Sequence, residues 1–473
     1  MAHVTTRVVI VGGGPGGYEA ALVAAQLGAN VTVVDSDGVG GSAVLTDCVP
    51  SKTLIATADL MTDVEESSEL GMRFDVGNGP VAPRNAVTVD LKMVNDRVMR
   101  LARDQSEDIA GRLLREGVEL VRGSGRLDGP QAVVARREDG TEQRYDADVV
   151  LLATGAHPRV LESARPDGER ILTWEQVYDL DELPERLIVV GSGVTGAEFA
   201  SAYHALGADV VLVSSRDRVL PGEDADAAQV LEDVFTRRGM TVLSRSRAAA
   251  VERAADGGVT VTLTDGREVG GSHCLLAVGS IPNTTDLGLD TAGVAIDDGG
   301  YLKVDRVSRT SARGVYAAGD CTGVLPLASV AAMQGRIAMW HALGDAVQPL
   351  DLKEVSANVF TAPEIATVGW SQQAVDAGEI DAQSLMLPLS GNPRAKMQGV
   401  RDGFVKLFCR PGTGIVVGGV VVAPRASELI HPVAIAVSQQ MNVDQLAHAF
   451  TVYPSLTGSI GEAARRLHRA PTG

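Results

Sequence analysis

Two short loops and one cysteine-containing stretch hold the residue types from which chemistry could be built. Gly12-Gly13-Gly14-Pro15-Gly16-Gly17 and Gly191-Ser192-Gly193-Val194-Thr195-Gly196 share the spacing GxGxxG. Such spacing lets the backbone turn tightly at the first glycine, approach a pyrophosphate at the second and pack a helix closely at the third. After the first loop Asp35 is placed to accept a hydrogen bond from a ribose 2′-hydroxyl. After the second the corresponding segment is Ser214-Ser215-Arg216, followed by Arg218, with no carboxylate to repel a 2′-phosphate. NADPH should be accepted there through Arg216, and NADH is not excluded. The third stretch, Cys48-Val49-Pro50-Ser51-Lys52, sets a thiol four residues before a cation. Cys48, Cys274, Cys321 and Cys409 are far apart and form no CxxC pair, so neither a zinc site nor a disulfide framework is indicated.

The elements that must position these residues are legible around them. An apolar strand, Arg7 to Val11, feeds the first loop, which opens an alanine-rich helix from Tyr18 to Leu27, and Val31 to Val34 is the strand that ends in Asp35. The unit repeats as strand Leu187 to Val190, helix Ala197 to Leu206 and strand Val210 to Val213. In each unit the helix N-terminus offers N–H groups and a positive dipole end to an anion. Two dinucleotide sites separate a flavoprotein from an ordinary dehydrogenase, which needs one. Between the units lie a helical stretch after Lys52, a polar connection around Asn78 to Asn85, an amphipathic pattern from Leu91 to Leu114 and a strand from Asp148 to Ala153.

At 473 residues the chain exceeds what one hydrophobic core organises and points to about three domains. Its net charge of −18 argues against nucleic acid and against an anionic membrane surface, because both need clustered Lys and Arg. No run of about 18 uncharged apolar residues suggests a transmembrane helix, and Met1 to Thr6 leave no room for a signal peptide. A cytoplasmic address in a reducing compartment is expected.

The order and spacing of these motifs resemble the flavoprotein disulfide reductases, the group of dihydrolipoamide dehydrogenase and glutathione reductase. The resemblance covers nearly the whole chain. It implies an α/β fold with two Rossmann-like domains, for FAD and NAD(P), and a C-terminal α+β dimerisation domain. The expected division is 1–153 for the first part of the FAD domain, 154–280 for the NAD(P) domain, 281–350 for the second FAD part and 351–473 for dimerisation. FAD would be held by Gly12, Gly14, Pro15, Gly17, Asp35, Gly41, Ser42, Lys52, Thr154, Gly155, Gly319, Asp320 and Ala328, with Asp320 on the ribityl chain. NAD(P) would be held by Gly191, Gly193, Val194, Thr195, Gly196, Glu198, Ser214, Arg216, Val278 and Gly279, with Val194 where nicotinamide stacks. In the family the lysine matching Lys52 lies near flavin N5 and pairs with the glutamate matching Glu198. A homodimer is implied as well.

The departures from that family bear on function directly. Ala43 stands where the first redox cysteine belongs, and an alanine has no sulfur with which to exchange or close a disulfide. Near the C-terminus Tyr453-Pro454-Ser455-Leu456-Thr457-Gly458 puts Tyr453 for the acid/base histidine and Gly458 for the glutamate that orients it. A disulfide substrate needs both a nucleophilic thiol and a proton donor, whereas a quinone takes electrons straight from reduced flavin and needs neither. The pattern is similar to a branch of NAD(P)H:quinone reductases that lack the dithiol, and so implies hydride transfer from NADPH or NADH to FAD and then electron transfer to a quinone, with catalytic residues Lys52, Glu198 and, in an open role, Cys48. The rivals are a soluble pyridine-nucleotide transhydrogenase, a peroxidase using Cys48, a dihydrolipoamide-dehydrogenase-like protein of degraded activity and a FAD-binding protein without catalysis.

Overall fold

The computed structural model describes residues 5–75 and 79–468, so the beginning of the polar connection at Asn78 lies outside the described residues. The chain divides into two compact units. One comprises the residues up to Ser51 with Asp96–Arg159 and Gly279–Asp351, and the other comprises Lys52–Asn95, Val160–Val278 and the residues from Leu352 on.

In the first unit a parallel sheet of five strands runs Val315–Ala317, Val149–Leu152, Arg7–Val11, Asn30–Asp35, Glu119–Arg122, with the strand that feeds the first glycine loop in the middle. A strand buried on both faces must be apolar at every position, and Val8 to Val11 are. Alternation still sorts them. Val8 and Ile10 join a core with Ala20, Ala21 and Ala24 of helix Pro15–Gln26, while Val9 and Val11 join a core with Leu127, Val133 and Ala135. The latter three come from an antiparallel meander, Ser124–Leu127, Ala132–Arg136 and Glu142–Asp146.

The second unit repeats this plan. Its parallel sheet runs Ile171–Thr173, His273–Leu276, Arg186–Val190, Asp209–Val213, Thr241–Leu243, and its meander is Ala248–Arg253, Val259–Leu263 and Glu268–Gly271. It also holds an antiparallel sheet of five strands, Ser356–Val359, Glu364–Gly369, Val416–Ala423, Phe404–Cys409 and Gln383–Pro388, packed on helices His431–Ser438, Val443–His448 and Gly458–Leu467. Lys406, buried on that sheet, donates to Asp224 at 2.8 Å and Asp226 at 2.6 Å, and Asp224 caps helix Ala225–Arg237. An amine withdrawn from water requires such partners.

Lys52–Asn95 packs with the second unit. Asn95 Nδ2 donates to Leu180 O at 2.8 Å, Arg238 pairs with Glu66 at 2.6 Å, and Arg401 pairs with Glu69. These long-range side-chain contacts leave no trace in local periodicity. No helix among the described residues is long and apolar enough to cross a membrane.

Candidate active site

The first glycine loop shows which of its glycines the fold requires. A Cβ on Gly12, at φ +102°, would meet Ala153 O at 2.2 Å, and one on Gly17 would meet Gly12 O at 1.9 Å. On Gly14 it would meet nothing nearer than Gly41 Cα at 3.9 Å. The second loop has the same arrangement: Gly191 would strike Ala277 O at 2.1 Å and Gly196 would strike Gly191 O at 1.9 Å, while Gly193 has nothing within 4 Å. Gly14 and Gly193 sit at ordinary extended φ of −66° and −72°, so conformation does not demand glycine there. The space beside the middle glycine is where a phosphate would lie. Both cap their helices without a side-chain hydrogen bond, and Pro15, which has no N–H, follows Gly14.

Around the first loop, Asp35 accepts from Gly13 N at 2.6 Å and, through its other oxygen, from Gly38 N at 2.6 Å and Asp37 N at 2.9 Å. Gly40 N donates to Gly13 O at 2.8 Å and brings up Gly41, on which a Cβ would fall 2.8 Å from Gly14 Cα; Ser42 beside it is exposed. Thr154 and Gly155 form a turn locked to Asn283: Thr154 Oγ1 donates to Asn283 O at 2.7 Å, and Asn283 N donates to Gly155 O at 3.0 Å. Gly319, at φ +84°, is held by Gln334 Oε1 at 2.8 Å and precedes Asp320. Burial, and secondarily the nearby Asp47, push the Asp320 carboxyl up to about 6. It is a half-buried acceptor that polyol hydroxyls donating to it would relieve. Ala328 opens helix Ala328–Ala342, also without a side-chain cap. The donor set fits a dinucleotide with a hydroxylated chain, as FAD has.

In the second unit Glu198, only 3% exposed, accepts from Lys52 Nζ at 2.8 Å and from Phe360 N at 2.9 Å. Lys52 Nζ also lies 4.9 Å from the centre of the Phe360 ring. The structure thus joins two residues 146 positions apart and adds Phe360, which no sequence signal announced. Val194 and Thr195 open helix Val194–Leu206, with Val194 exposed. Val278 stands in the second unit and Gly279 in the first.

Ser214 departs from expectation. It is 0% exposed, and its hydroxyl contacts Ser192 Oγ at 2.7 Å and accepts from Arg216 N at 3.1 Å. The Ser214 side chain is thus spent on contacts within the turn and with the glycine loop. Arg216 is exposed on that turn. Cys48 is half-buried and begins helix Cys48–Glu66, and no disulfide occurs among the described residues. Tyr453 is 84% exposed, and Gly458 opens helix Gly458–Leu467.

Comparison with known proteins adds independent findings. The pyridine nucleotide-disulphide oxidoreductase profile matches residues 6–335, and the dimerisation domain profile of the same family matches 355–464. A Mycobacterium tuberculosis protein named NAD(P)H dehydrogenase (quinone) is 56% identical over 98% of this chain and 94% of its own length. The dihydrolipoyl dehydrogenase of Chlorobaculum parvum is 32% identical over 97% of this chain and 96% of its own. The crystal structure of LpdA from M. tuberculosis superposes with a TM-score of 0.92 at 56% identity, covering 98% of this chain and 100% of that one.

Proposed function

The chain belongs to the pyridine nucleotide-disulphide oxidoreductase family, and from that premise we propose that it is a FAD-dependent NAD(P)H:quinone oxidoreductase with no disulfide relay. The observation that carries this reading is the combination of two intact dinucleotide cradles with Ala43 in place of the first redox cysteine. The 56% identity to an enzyme named for quinone reduction supports the acceptor class.

FAD, when bound, would supply the redox chemistry, namely hydride acceptance from NAD(P)H and electron release to a quinone. The protein's share is binding and electrostatics. Gly12 and Gly17 shape the first loop and Gly14 would leave room for the pyrophosphate; Asp35 would take the ribose and Asp320 the ribityl hydroxyls. Gly191, Gly193 and Gly196 do the same work for NAD(P)H, with Arg216 toward a 2′-phosphate. Glu198 holds the Lys52 ammonium in one place, and a fixed cation favours the accumulation of electrons on an adjoining acceptor. Cys48 has no assigned step. The protein works as a homodimer through its dimerisation domain, and four cysteines outside any disulfide fit a reducing, cytoplasmic address.

Steady-state oxidation of NADPH and NADH against a panel of acceptors tests the proposal. A benzoquinone should sustain turnover far above lipoamide, glutathione disulfide or NAD⁺. Brisk NADPH-to-NAD⁺ transfer with sluggish quinone reduction would make it a transhydrogenase.

A further inference from the structure

The turn that follows the second dinucleotide loop carries more positive charge than Arg216 alone. Arg245, distant in sequence, donates its backbone N–H to Arg216 O at 2.6 Å, and the next residue, Ser246, donates to Ser214 O at 2.7 Å. The segment after strand Thr241–Leu243 is thereby stitched to the turn after strand Asp209–Val213, and both turns stand at the same end of the parallel sheet. Ser214 is the hub. Its hydroxyl contacts Ser192 of the glycine loop, accepts from Arg216 N, and lies 3.3 Å from the carbonyl oxygens of Arg216 and Arg218.

Two features mark this cluster. Arg245 sits at φ +52°, a left-handed conformation that a long side chain rarely adopts and that persists only where the surroundings impose it. The arginines are also without acids. Elsewhere in the chain Arg253 pairs with Asp167 and Glu169, Arg237 with Asp402 and Arg267 with Asp265. Among the described residues Arg216, Arg218 and Arg245 have no ion pair, and the buried Nε of Arg218 has no hydrogen-bond partner. The one acid on the turn, Asp217, is exposed. In a chain of net charge −18, three arginines without ion pairs on two backbone-linked turns at one end of a sheet are suited to a dianion.

We propose that Arg245 is a second specificity-determining residue, closing with Arg216 on the 2′-phosphate of NADPH and making NADPH the preferred donor. This rests on the reading of the Gly191–Gly196 loop as the NAD(P)H site. Two guanidinium groups from separate segments would grip the phosphate from two directions, and the Ser214 hydroxyl would set their spacing.

Calorimetric titration of the FAD-loaded enzyme with adenosine 2′,5′-diphosphate and with adenosine 5′-monophosphate tests the assignment through binding alone. The wild type should favour the 2′-phosphorylated ligand by about tenfold or more, the size a charge-assisted bond supplies. Arg245→Asn keeps a residue that tolerates the left-handed backbone while removing the guanidinium, and should lose most of that preference. Arg245→Lys should recover part of it. The NADPH-to-NADH ratio of kcat/KM should fall in parallel. Equal binding of the two ligands to the wild type, or an undiminished preference in Arg245→Asn beside a lost one in Arg216→Ser, overturns the assignment. If NADH and NADPH alike fail to bleach the flavin of the wild type, the underlying reading falls, and this assignment with it.

Discussion

At the scale of single residues, chemistry is set by what is missing as much as by what is present. With alanine at 43, that position has no sulfur to exchange with a disulfide or to close one. Cys48→Ser should therefore keep most NADPH-driven quinone turnover; a thousandfold fall, about 4 kcal/mol at the transition state, would show that the thiol takes part. Asp320 makes a different prediction. Its folded-state pKa of about 6 exceeds the ordinary 3.8, so the folded protein binds this proton more tightly than the unfolded chain, and stability is lost as pH rises from about 4 through 6. Asp320→Asn should leave flavin-free protein unchanged near pH 4. Above pH 7 it should stabilise it by about 1–2 kcal/mol, allowing for solvent screening of a half-buried group, with melting temperature against pH as the readout. The same variant should bind FAD more weakly. A melting curve indifferent to the substitution at both pH values would count against the buried-acceptor account.

At the scale of elements, the two glycine loops were legible in the sequence because a strand, a turn and a helix impose local residue choices at fixed spacing. The division of labour within each loop was not. Gly12 and Gly191 are required by backbone oxygens of residues distant in sequence, Ala153 and Ala277, whereas a Cβ on Gly14 would make only ordinary contact and one on Gly193 would meet nothing within 4 Å. Gly193→Ala should thus leave the melting temperature within about 2 °C and raise the NAD(P)H KM by about tenfold or more, and Gly14→Ala should loosen FAD. Gly12→Ala should fail at the level of folding, at a cost of about 3 kcal/mol or more, because its Cβ has nowhere to go and its φ is left-handed. Thermal denaturation beside KM separates the two outcomes. The contact of Lys52 with Glu198 was implied by family resemblance and not by spacing, since 146 residues separate them, and the Phe360 N–H and ring that complete it come from a third segment. The burial of Ser214 escaped local reading for the same reason: the Ser192 hydroxyl that meets it comes from the loop after the neighbouring strand, 22 positions away.

At the scale of the whole molecule, the repeat of a dinucleotide-binding unit could be read from the two glycine loops, but the meander in each unit and the placing of Lys52–Asn95 with the second unit could not. Restoring disulfide reduction should take more than one site. Ala43→Cys should form a disulfide with Cys48, yet turnover of lipoamide should stay low, because position 453 offers a phenol where the family has an acid/base histidine, and general acid/base help is worth about 10²–10⁴-fold. Adding Tyr453→His and Gly458→Glu should raise it well above the single variant. A Cβ on Gly458 meets nothing closer than Ser455 Oγ at 3.7 Å, and a carboxylate in the first turn of helix Gly458–Leu467 suits its dipole, so the added glutamate has room. Brisk disulfide reduction by Ala43→Cys alone would show that the C-terminal changes are irrelevant. The central claim, electrons passing from flavin to quinone with no thiol relay, is tested most directly by anaerobic titration of the wild-type enzyme. One equivalent of NADPH per flavin should complete the reduction, and one equivalent of benzoquinone should restore the oxidised spectrum while lipoamide leaves it bleached. Uptake of a second equivalent before full bleaching, or reoxidation by lipoamide and not by quinone, would contradict it.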